Sequence, residues 1–431
     1  MPDLLRAVWD ALGGDPAALS RLTVTGSSPT LRSAFPVTDV GTAVIGASLL
    51  AATDAPVAID TGAAAVALRS ERYLRRDGRS PGSAFAPLSA FHRTADGWIR
   101  LHANYDWHRA AALSALGCSR EQDAPAAIAE RGAVELETAV HAAGGVAAAV
   151  RTEQQWRATA GDPPPLVEHR VVGEAPARDV RRPRVLDLTR VIAGPVATRT
   201  LAAHGADVLR LDAPQRPELA AQGWDTLPGK RSALLDVAAD PAALDALLAG
   251  ADVVVTGYRP GALDRFGLAP EMLAERHPGL VVVTLSAWGH RGSWGARRGF
   301  DSLVQAACGI ALTEGSAAAP GALPAQVLDH ATGYLAAAAA LLGLARQRRD
   351  GGTHHYRLAL IATAGWMQSL PRVAPVDVDE VDPAPYLQDL DAPDGRLTLV
   401  RPPGTIDGRA LSWPAPAPAF GAAVAEWGGS G

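Results

Sequence analysis

The chain has 431 residues, more than one hydrophobic core usually serves, so we expect two or more domains. Hydrophobic residues make up 48% and charged residues 20%, which is the composition of an ordinary soluble globular protein. A formal net charge of -5 argues against nucleic acid or an anionic membrane as partner. A metabolite is the expected partner.

The cysteines and the apolar segments exclude further classes. Cys118 and Cys308 form no CxxC pair, which argues against a disulfide framework or zinc site and favours a reducing, cytoplasmic compartment. No metal-ligand spacing occurs in the sequence, so no metal is expected. The N-terminal MPDLLRAVWDALGGDP has neither the basic segment nor the cleavage site of a signal peptide, so we expect a short helix there. The apolar run 333–345 is shorter than a membrane span and predicts a buried helix.

Residues 1–80 contain the first copy of an internal repeat. LTVTGSSPTLRSAFPVTDVGTAVIGASLLAA parallels IALTEGSAAAPGALPAQVLDHATGYLAAAAALLGLA, and the alignment pairs Asp39 with Asp329. Each Asp precedes an alanine-rich helix, and a strand-like run follows each helix. Composition alone could make two such helices alike, but the matched loop, Asp and strand favour a common origin.

Residues 81–180 predict a small α+β domain and a connector. GWIRLHANY alternates as a strand does, and RTEQQWRAT is helical. Residues 159–184 contain PPP and no period, which is typical of a connector, and we place the main domain boundary there. His102, His108 and Arg109 could face a substrate, but polar residues on an irregular amphipathic segment are more often at the surface.

Residues 181–370 predict an α/β domain, a parallel-sheet Rossmann-like unit. Strands buried on both faces need continuous apolar runs, and parallel connections need crossover helices. The segment shows this alternation with the runs RVLDL, DVLRL, SALLD, DVVVTG and LVVVTLS. Residues 371–431 are rich in Pro and Gly and predict a tail with a hairpin at GRLTLVRPPG and little other regular structure.

Asp329 is the candidate for chemistry. An Asp directly before a long helix is a favoured N-cap, which is a structural role. The same position favours a functional role, because the positive helix N-terminus keeps a carboxylate ionised. Such a carboxylate could attack a thioester carbonyl and split an acyl exchange into easier steps.

The turn RVIAGPVATRTLAAHG places Gly194 and Pro195 between a strand and a helix. A dinucleotide-binding unit with Asp212 on a ribose is an alternative, but the GxGxxG pattern is absent. Cations near the ends of strands could meet ligand phosphates, although each alone could equally be a solvated surface residue. They are Lys230, Arg231, Arg259 and Arg265.

Residues 184–366 resemble the first half of the class III (CaiB/BaiF) CoA-transferases. The resemblance rests on VLDLTRVIAGPVATRTLAAHGADVLRLDAP, GKRSALLD, DVVVTGYRPGALDRFGL, HPGLVVVTLSAWGHRGSWGARRGFDSLVQAACG and LDHATG, in family order and spacing. It implies that Asp329 is the acyl-accepting nucleophile and that Asp301 assists it. It implies that coenzyme A, as acyl-CoA substrate, contacts Arg190, Val191, Ala193, Gly194, Leu235, Tyr258, Arg265, Phe266 and Arg298.

The resemblance also implies a partner set and two alternatives. The partners are an acyl-CoA and a carboxylic acid acceptor, and family members form interlocked homodimers. Racemases of the same superfamily carry a His before the acidic residue; Phe300 at that position favours CoA transfer, because exchanging an α-proton between faces needs two bases. A non-catalytic CoA-binding paralogue is the other alternative.

The sequence departs from the family in order and in detail. Residues 1–180 resemble the family's second half yet precede the first half, so the order looks permuted. Ile192 stands where some transferases have a polar residue, and Ala213 replaces a cation of certain members. Because only 38 residues precede Asp39, we expect no nucleotide-binding half for the first copy, and Asp39 is interpreted as a relic.

Overall fold

The computed structural model describes residues 2–374 and 376–428. The first part of the chain is a small α/β unit, in which β1 and β2 pair in parallel. Its elements are α1 (Pro2–Ala11), β1 (Leu22–Thr25), α2 (Val37–Ala52), β2 (Val57–Asp60), α3 (Thr61–Ala67), α4 (Ser70–Tyr73) and β3 (Arg75–Arg76).

A small α+β domain follows, with its own apolar core. Three antiparallel strands pair in the order β4-β5-β6, and the helices pack on them around Ile99, Leu136 and Val140. The domain and the helix after it comprise β4 (Phe91–Arg93), β5 (Trp98–Leu101), α5 (Asp106–Leu116), α6 (Ala124–Ala129), α7 (Ala133–Ala142), β6 (Ala147–Ala149) and α8 (Glu153–Ala160).

The centre of the molecule is a seven-stranded sheet in the order β10-β9-β8-β11-β12-β13-β7. The strands are parallel except for β7, which pairs antiparallel with β13. The sheet strands are β7 (Glu168–Gly173), β8 (Arg184–Leu188), β9 (Asp207–Asp212), β10 (Lys230–Leu234), β11 (Val253–Thr256), β12 (Val281–Ser286) and β13 (Thr353–Ala359). The helices that connect and cover them are α9 (Ala193–Ala203), α10 (Ala220–Thr226), α11 (Pro241–Ala249), α12 (Pro270–Arg276), α13 (Asp301–Ala307), α14 (Ile310–Glu314), α15 (Val327–Asp350) and α16 (Leu360–Ser369).

The sheet is covered on both faces, as its apolar runs require. Successive strand residues point to opposite faces, so Val253 and Val255 enter one core cluster and Val254 enters the other. The predicted α/β class with a parallel sheet is confirmed, and the five predicted strands lie within two residues of their expected positions. One difference is that the expected connector 159–184 contains β7, which adds an edge strand to the sheet.

The two repeat copies have the same local geometry and pack together through α2 and α15. The residues before the helices, Pro36 and Gln326, have φ/ψ of -76/57 and -76/64 degrees. A strand and a short helix follow both long helices. The apolar run 333–345 belongs to a helix of 24 residues, long and apolar enough by composition to cross a membrane, but 83% of its most apolar window is buried inside the protein.

The tail has more regular structure than its composition suggests, which corrects that expectation. It contains β14 (Leu387–Ala392), β15 (Gly395–Val400), β16 (Thr405–Ile406) and β17 (Arg409–Ala410). GRLTLV forms the second strand of the predicted hairpin, but its partner strand precedes it in the chain. Both hairpins extend the N-terminal unit, because β15 pairs with β3 and β16 pairs with β2.

Candidate functional site

A cavity of about 920 Å³ opens at the carboxyl ends of the parallel strands, where the strand order reverses between β8 and β11. Ligands of open α/β sheets bind at such a reversal, because the loops there diverge to opposite faces. The opposite wall comes from the beginning of α5 in the small domain. Residues from both sides line it, including Tyr105, Trp107, His108, Arg190, Val191, Ala193, Gly194, Ala213, Arg216, Tyr258, Arg259, Arg265, Phe266, Arg297, Arg298, Phe300, Asp329 and Leu360.

Asp329 lies in the wall of this cavity. It is the third residue of α15 and 6% exposed. The N-cap prediction was wrong by three positions: Gln326 holds the cap position, and its side chain makes no capping bond. The Asp329 carboxyl therefore does not cap the helix, and it faces the cavity.

Asp301 lies directly behind Asp329 and is fully buried as the first residue of α13. Its Oδ2 accepts a hydrogen bond from the backbone N–H of Asp329 at 3.0 Å, and its Oδ1 accepts one from Gln305. The two predicted acidic residues are thus neighbours, with Asp301 in contact with the backbone of Asp329 and not on the cavity wall.

Burial raises the pKa of Asp301 to about 6. Burial also raises the pKa of Asp329 well above its usual range, and the charges of Asp301 and Glu71 raise it further. Both effects oppose the expectation that the helix N-terminus keeps Asp329 ionised, because desolvation and like charge favour the neutral carboxyl.

His330, next to the candidate nucleophile, is paired with a residue of the N-terminal unit. Its Nε2 lies 3.0 Å from Oε2 of Glu71 in α4, and the ring is fully buried. Although burial acts to raise it, the pKa of Glu71 is lowered, chiefly by His330. This contact ties the first repeat copy to the first turn of α15.

The structure brings together most of the predicted CoA contacts. Arg190, Val191, Ala193, Gly194, Tyr258, Arg265, Phe266 and Arg298 line the cavity. Leu235 instead packs against the core cluster on the other face of the sheet. The three residues that follow it, Asp236, Val237 and Ala238, line the cavity in its place.

Two of the four candidate cations form ion pairs outside the cavity. Lys230 is buried, and its Nζ lies 3.1 Å from Oδ2 of Asp187. Arg231 pairs with Asp207 at the opposite end of the strands. Arg259 and Arg265 do line the cavity.

The carboxylate proposed for a ribose is also occupied. Asp212 is 3% exposed and forms a two-bond ion pair with Arg210. Because both carboxylate oxygens already accept hydrogen bonds, the dinucleotide alternative has no support in the structure.

The surface assignment for two histidines of the small domain was wrong. His102 and His108 are 4% and 6% exposed, whereas Arg109 is partly exposed and pairs with Asp106. The His102 ring stacks on Phe300, with 3.7 Å between centroids and 4 degrees between planes. His108 lines the cavity, and its Nδ1 has no hydrogen-bond partner among the described residues.

Sequence reasoning missed the aromatic wall contributed by the small domain. Tyr105 and Trp107 stack with 4.7 Å between ring centroids, and Arg190 and Arg216 lie over these rings. The signal was the cluster YDWH at the start of a helix, a concentration of aromatic and imidazole rings that a solvated loop seldom carries.

Asp39, the counterpart of Asp329, lies at a different place. It is also the third residue of its helix and borders a separate cavity of about 190 Å³. The interpretation of Asp39 as a relic stays a prediction.

Comparison with known proteins shows which family part of the chain is similar to. Residues 182–381 match the model of CoA-transferase family III. A probable fatty acyl-CoA transferase of Mycobacterium tuberculosis is 32% identical over 213 residues, 45% of this chain and 53% of that protein. An acyl-CoA transferase of Gibberella moniliformis is 30% identical over 358 residues, 73% of this chain and 63% of that protein.

The chain thus spans 53% and 63% of the length of these two relatives. A crystal structure of the mycobacterial protein aligns with a TM-score of 0.41 over 45% of this chain and 59% of that chain, at 31% identity. The matched segment contains the six parallel strands of the central sheet, the turn at 190–194 and both acidic residues described above. Residues 182–381 of the chain are thus similar to CoA-transferase family III, the class III (CaiB/BaiF) CoA-transferases.

Proposed function

We propose that the protein is an enzyme that moves coenzyme A between carboxylic acids, with Asp329 as the nucleophile. The observation that carries the proposal is the Asp329 carboxyl in the wall of a cavity of about 920 Å³, beside the buried Asp301. The relatives named as acyl-CoA transferases support it. A partly desolvated carboxylate is a stronger nucleophile than a hydrated one, because attack requires less removal of water.

The proposed chemistry proceeds through covalent intermediates on Asp329. An ionised Asp329 oxygen attacks the thioester carbonyl, the C–S bond breaks, and CoA leaves as thiolate with an acyl-aspartyl anhydride behind. The thiolate then attacks the aspartyl carbonyl, which releases the first acid and forms an aspartyl-CoA thioester. An acceptor carboxylate reverses these two steps with its own acyl group. Charge and atoms balance without an outside base, since each nucleophile is already an anion.

The cationic side of the cavity suits the phosphates of CoA. Arg216, Arg259, Arg265 and Arg298 line the cavity, and guanidinium groups match phosphate geometry with two parallel hydrogen bonds. Burial, followed by the neighbouring Arg259 and Arg216, lowers the pKa of Arg298. Such mutual repulsion is relieved when an anion binds among these groups.

The proposal is tested by trapping. Incubation with a panel of acyl-CoA thioesters and hydroxylamine, followed by peptide mass spectrometry, should give a hydroxamate at Asp329. Asp329→Ala should abolish the label, while Asp39→Ala, the matched change in the first repeat copy, should leave it in place. A wild-type protein that stays unlabelled with every thioester, or a label that persists in Asp329→Ala, contradicts the proposal.

A second candidate is racemisation or isomerisation of an acyl-CoA. It is favoured by the imidazole of His108 in the cavity. This ring could supply the base that racemases carry at the position of Phe300. Burial, followed by Arg298, Arg216 and Arg190, lowers the pKa of His108 to about 4, so the ring is a neutral base at pH 7. Deuterium entering the α-carbon of an acyl-CoA in heavy water, at a rate reduced by His108→Ala, would identify this activity.

We also propose a homodimer in the cytoplasm. The family resemblance supports the dimer, and the absence of a cysteine pair supports a reducing compartment. Light scattering during size-exclusion chromatography measures the mass in solution, and a monomer mass would contradict the dimer.

A further inference from the structure

Glu218 is a buried carboxylate that neither the sequence patterns nor the proposed chemistry uses. It lies between β9 and α10, and its side chain is 1% exposed. A buried carboxylate is costly unless hydrogen bonds and cations compensate for lost water. The partners of Glu218 therefore show what its burial achieves.

Those partners come from three separate parts of the site. Oε1 accepts the hydroxyl of Tyr105 at 2.5 Å, from the small domain. Oε2 accepts the backbone N–H of Val191 at 3.0 Å, from the turn after β8. Arg210 in β9 donates to Oε2 at 3.0 Å, and Arg190 lies 3.5 Å from Oε1. Three of these four partners, Tyr105, Arg190 and Val191, line the large cavity.

The contact with Val191 holds an unfavourable backbone conformation. Val191 has a φ of +70 degrees, in the left-handed region that a β-branched residue rarely adopts. Such a conformation persists only where surrounding contacts over-determine it, and it is typical of functional sites. The hydrogen bond from the Val191 N–H to a buried carboxylate is the contact that favours it here.

The contact with Tyr105 connects the turn to the opposite wall. The Arg190 guanidinium lies 5.3 Å from the centroid of the Tyr105 ring and 5.7 Å from that of Trp107, and the two rings stack on each other. Glu218 therefore joins the turn 190–191 and the aromatic wall through one carboxylate. Loss of its charge would release both walls at once.

We propose that Glu218 is a positioning residue that preorganises the CoA cavity by holding the turn 190–191 and the Tyr105 wall together. The inference rests on the proposed function in that CoA is the ligand. Preorganisation increases affinity because the ordering is already complete before the ligand arrives. The effect should therefore appear in binding, not in the reaction at Asp329.

The test measures CoA binding by isothermal titration calorimetry. Glu218→Gln should weaken CoA binding by about tenfold to a hundredfold, the range for losing charge-assisted hydrogen bonds. Tyr105→Phe, which removes one hydroxyl from the same network, should weaken it by a smaller factor of about threefold to tenfold. Glu130→Gln, on an exposed residue of the small domain, is the matched control and should bind as wild type does.

A double-mutant cycle separates positioning from general damage. Because glycine adopts positive φ without strain, Glu218→Gln should cost at least about threefold less in affinity when made on top of Val191→Gly than when made alone, and the contact with Tyr105 accounts for the remainder. In steady state, Glu218→Gln should raise KM for the acyl-CoA while kcat stays within about threefold, since the groups around Asp329 are untouched. Thermal unfolding of each variant checks that the protein folds.

The outcomes distinguish this inference from the proposed function. Wild-type protein that does not bind CoA overturns both. Wild-type protein that binds CoA while Glu218→Gln binds equally well overturns the positioning role alone. An equal loss with and without Val191→Gly shows that the turn is not what Glu218 holds and also overturns it. If Glu218→Gln does not fold, an unchanged affinity in Tyr105→Phe has the same consequence.

Discussion

Three carboxyl groups surround the first turn of α15: Asp329, Asp301 and Glu71. His330 pairs with Glu71 and acts to lower the pKa of Asp301, whereas Asp301 and Glu71 both raise the pKa of Asp329. Two carboxylates this close do not ionise independently, because the first negative charge opposes the second. The pair therefore sets how much of Asp329 is available as an anion near neutral pH.

Asp301→Asn should shift the pH dependence of Asp329 acylation. Asparagine can still accept the backbone N–H of Asp329, but it carries no charge to oppose ionisation of that carboxyl. The rate of hydroxamate formation rises with pH as Asp329 loses its proton, and this rise should move to lower pH by about one unit. Asp10→Asn, an exposed residue of α1, serves as the control. A rise that stays in place or moves to higher pH would show that Asp301 does not raise the pKa of Asp329.

At the scale of elements, α15 and α9 approach so closely that no side chain fits between them at one position. A Cβ on Gly333 would lie 2.6 Å from the carbonyl oxygen of Ala193 and 2.9 Å from Cβ of Val196. Ala193 begins α9 and lines the cavity, so this contact sets the distance between the turn at 190–194 and the helix of Asp329. Gly343 makes a similar approach to Val281 and Tyr356, away from the cavity.

Gly333→Ala should therefore weaken CoA binding as well as folding. Overpacking costs about 1–3 kcal/mol, partly offset by the better helix propensity of alanine. Gly343→Ala should lower the free energy of unfolding by a similar amount, measured by urea denaturation, without changing the Kd for CoA. If Gly333→Ala and Gly343→Ala bind CoA with the same Kd, the distance between α9 and α15 does not affect ligand binding, which contradicts the prediction.

At the scale of the whole molecule, the cavity exists only because the small domain is fixed against the sheet domain. Glu137 in α7 accepts two bonds from Arg151, at 2.8 and 2.7 Å, and Arg297 from the cavity loop lies 3.3 Å away. Glu137 is 2% exposed and Arg151 is 6% exposed. A buried carboxylate thus connects two domains next to the cavity.

Glu137→Gln should destabilise the protein by about 3 kcal/mol, because removing one partner leaves Arg151 as an uncompensated buried charge. Glu135→Gln on the same helix breaks an exposed pair with Arg131 and should cost less than about 0.5 kcal/mol. Urea denaturation of both variants measures the difference. Similar small losses in the two variants would mean that the Glu137 cluster does not hold the domains together.

The first repeat copy and the tail also act at this scale. α2 packs on α15, Glu71 contacts His330, and the tail strands complete the small sheets begun by β2 and β3. The N-terminal unit therefore supports the helix that carries Asp329 although its own Asp39 borders only a smaller cavity. The permuted order and the domain boundaries proposed from sequence stay predictions.

Local patterns in the sequence determined the α/β class, the strands of the sheet and the residues of the turn at 190–194, because apolar runs and turn residues act over short stretches of chain. The same patterns placed Asp329 near a helix start. Its protonation depends on Asp301 and Glu71, which lie 28 and 258 positions away in the chain. No local pattern in the sequence could show that these two residues lie close to Asp329.

Only the tertiary structure shows which charged side chains line the cavity and which segments form its two sides. Lys230 and Arg259 look equivalent in sequence, yet Lys230 is buried against Asp187 while Arg259 lines the cavity. Tyr105 and His108 reach the site only because the small domain packs over the carboxyl ends of the strands. Desolvation and pairing depend on neighbours from distant parts of the chain, so they are set when the domains pack together.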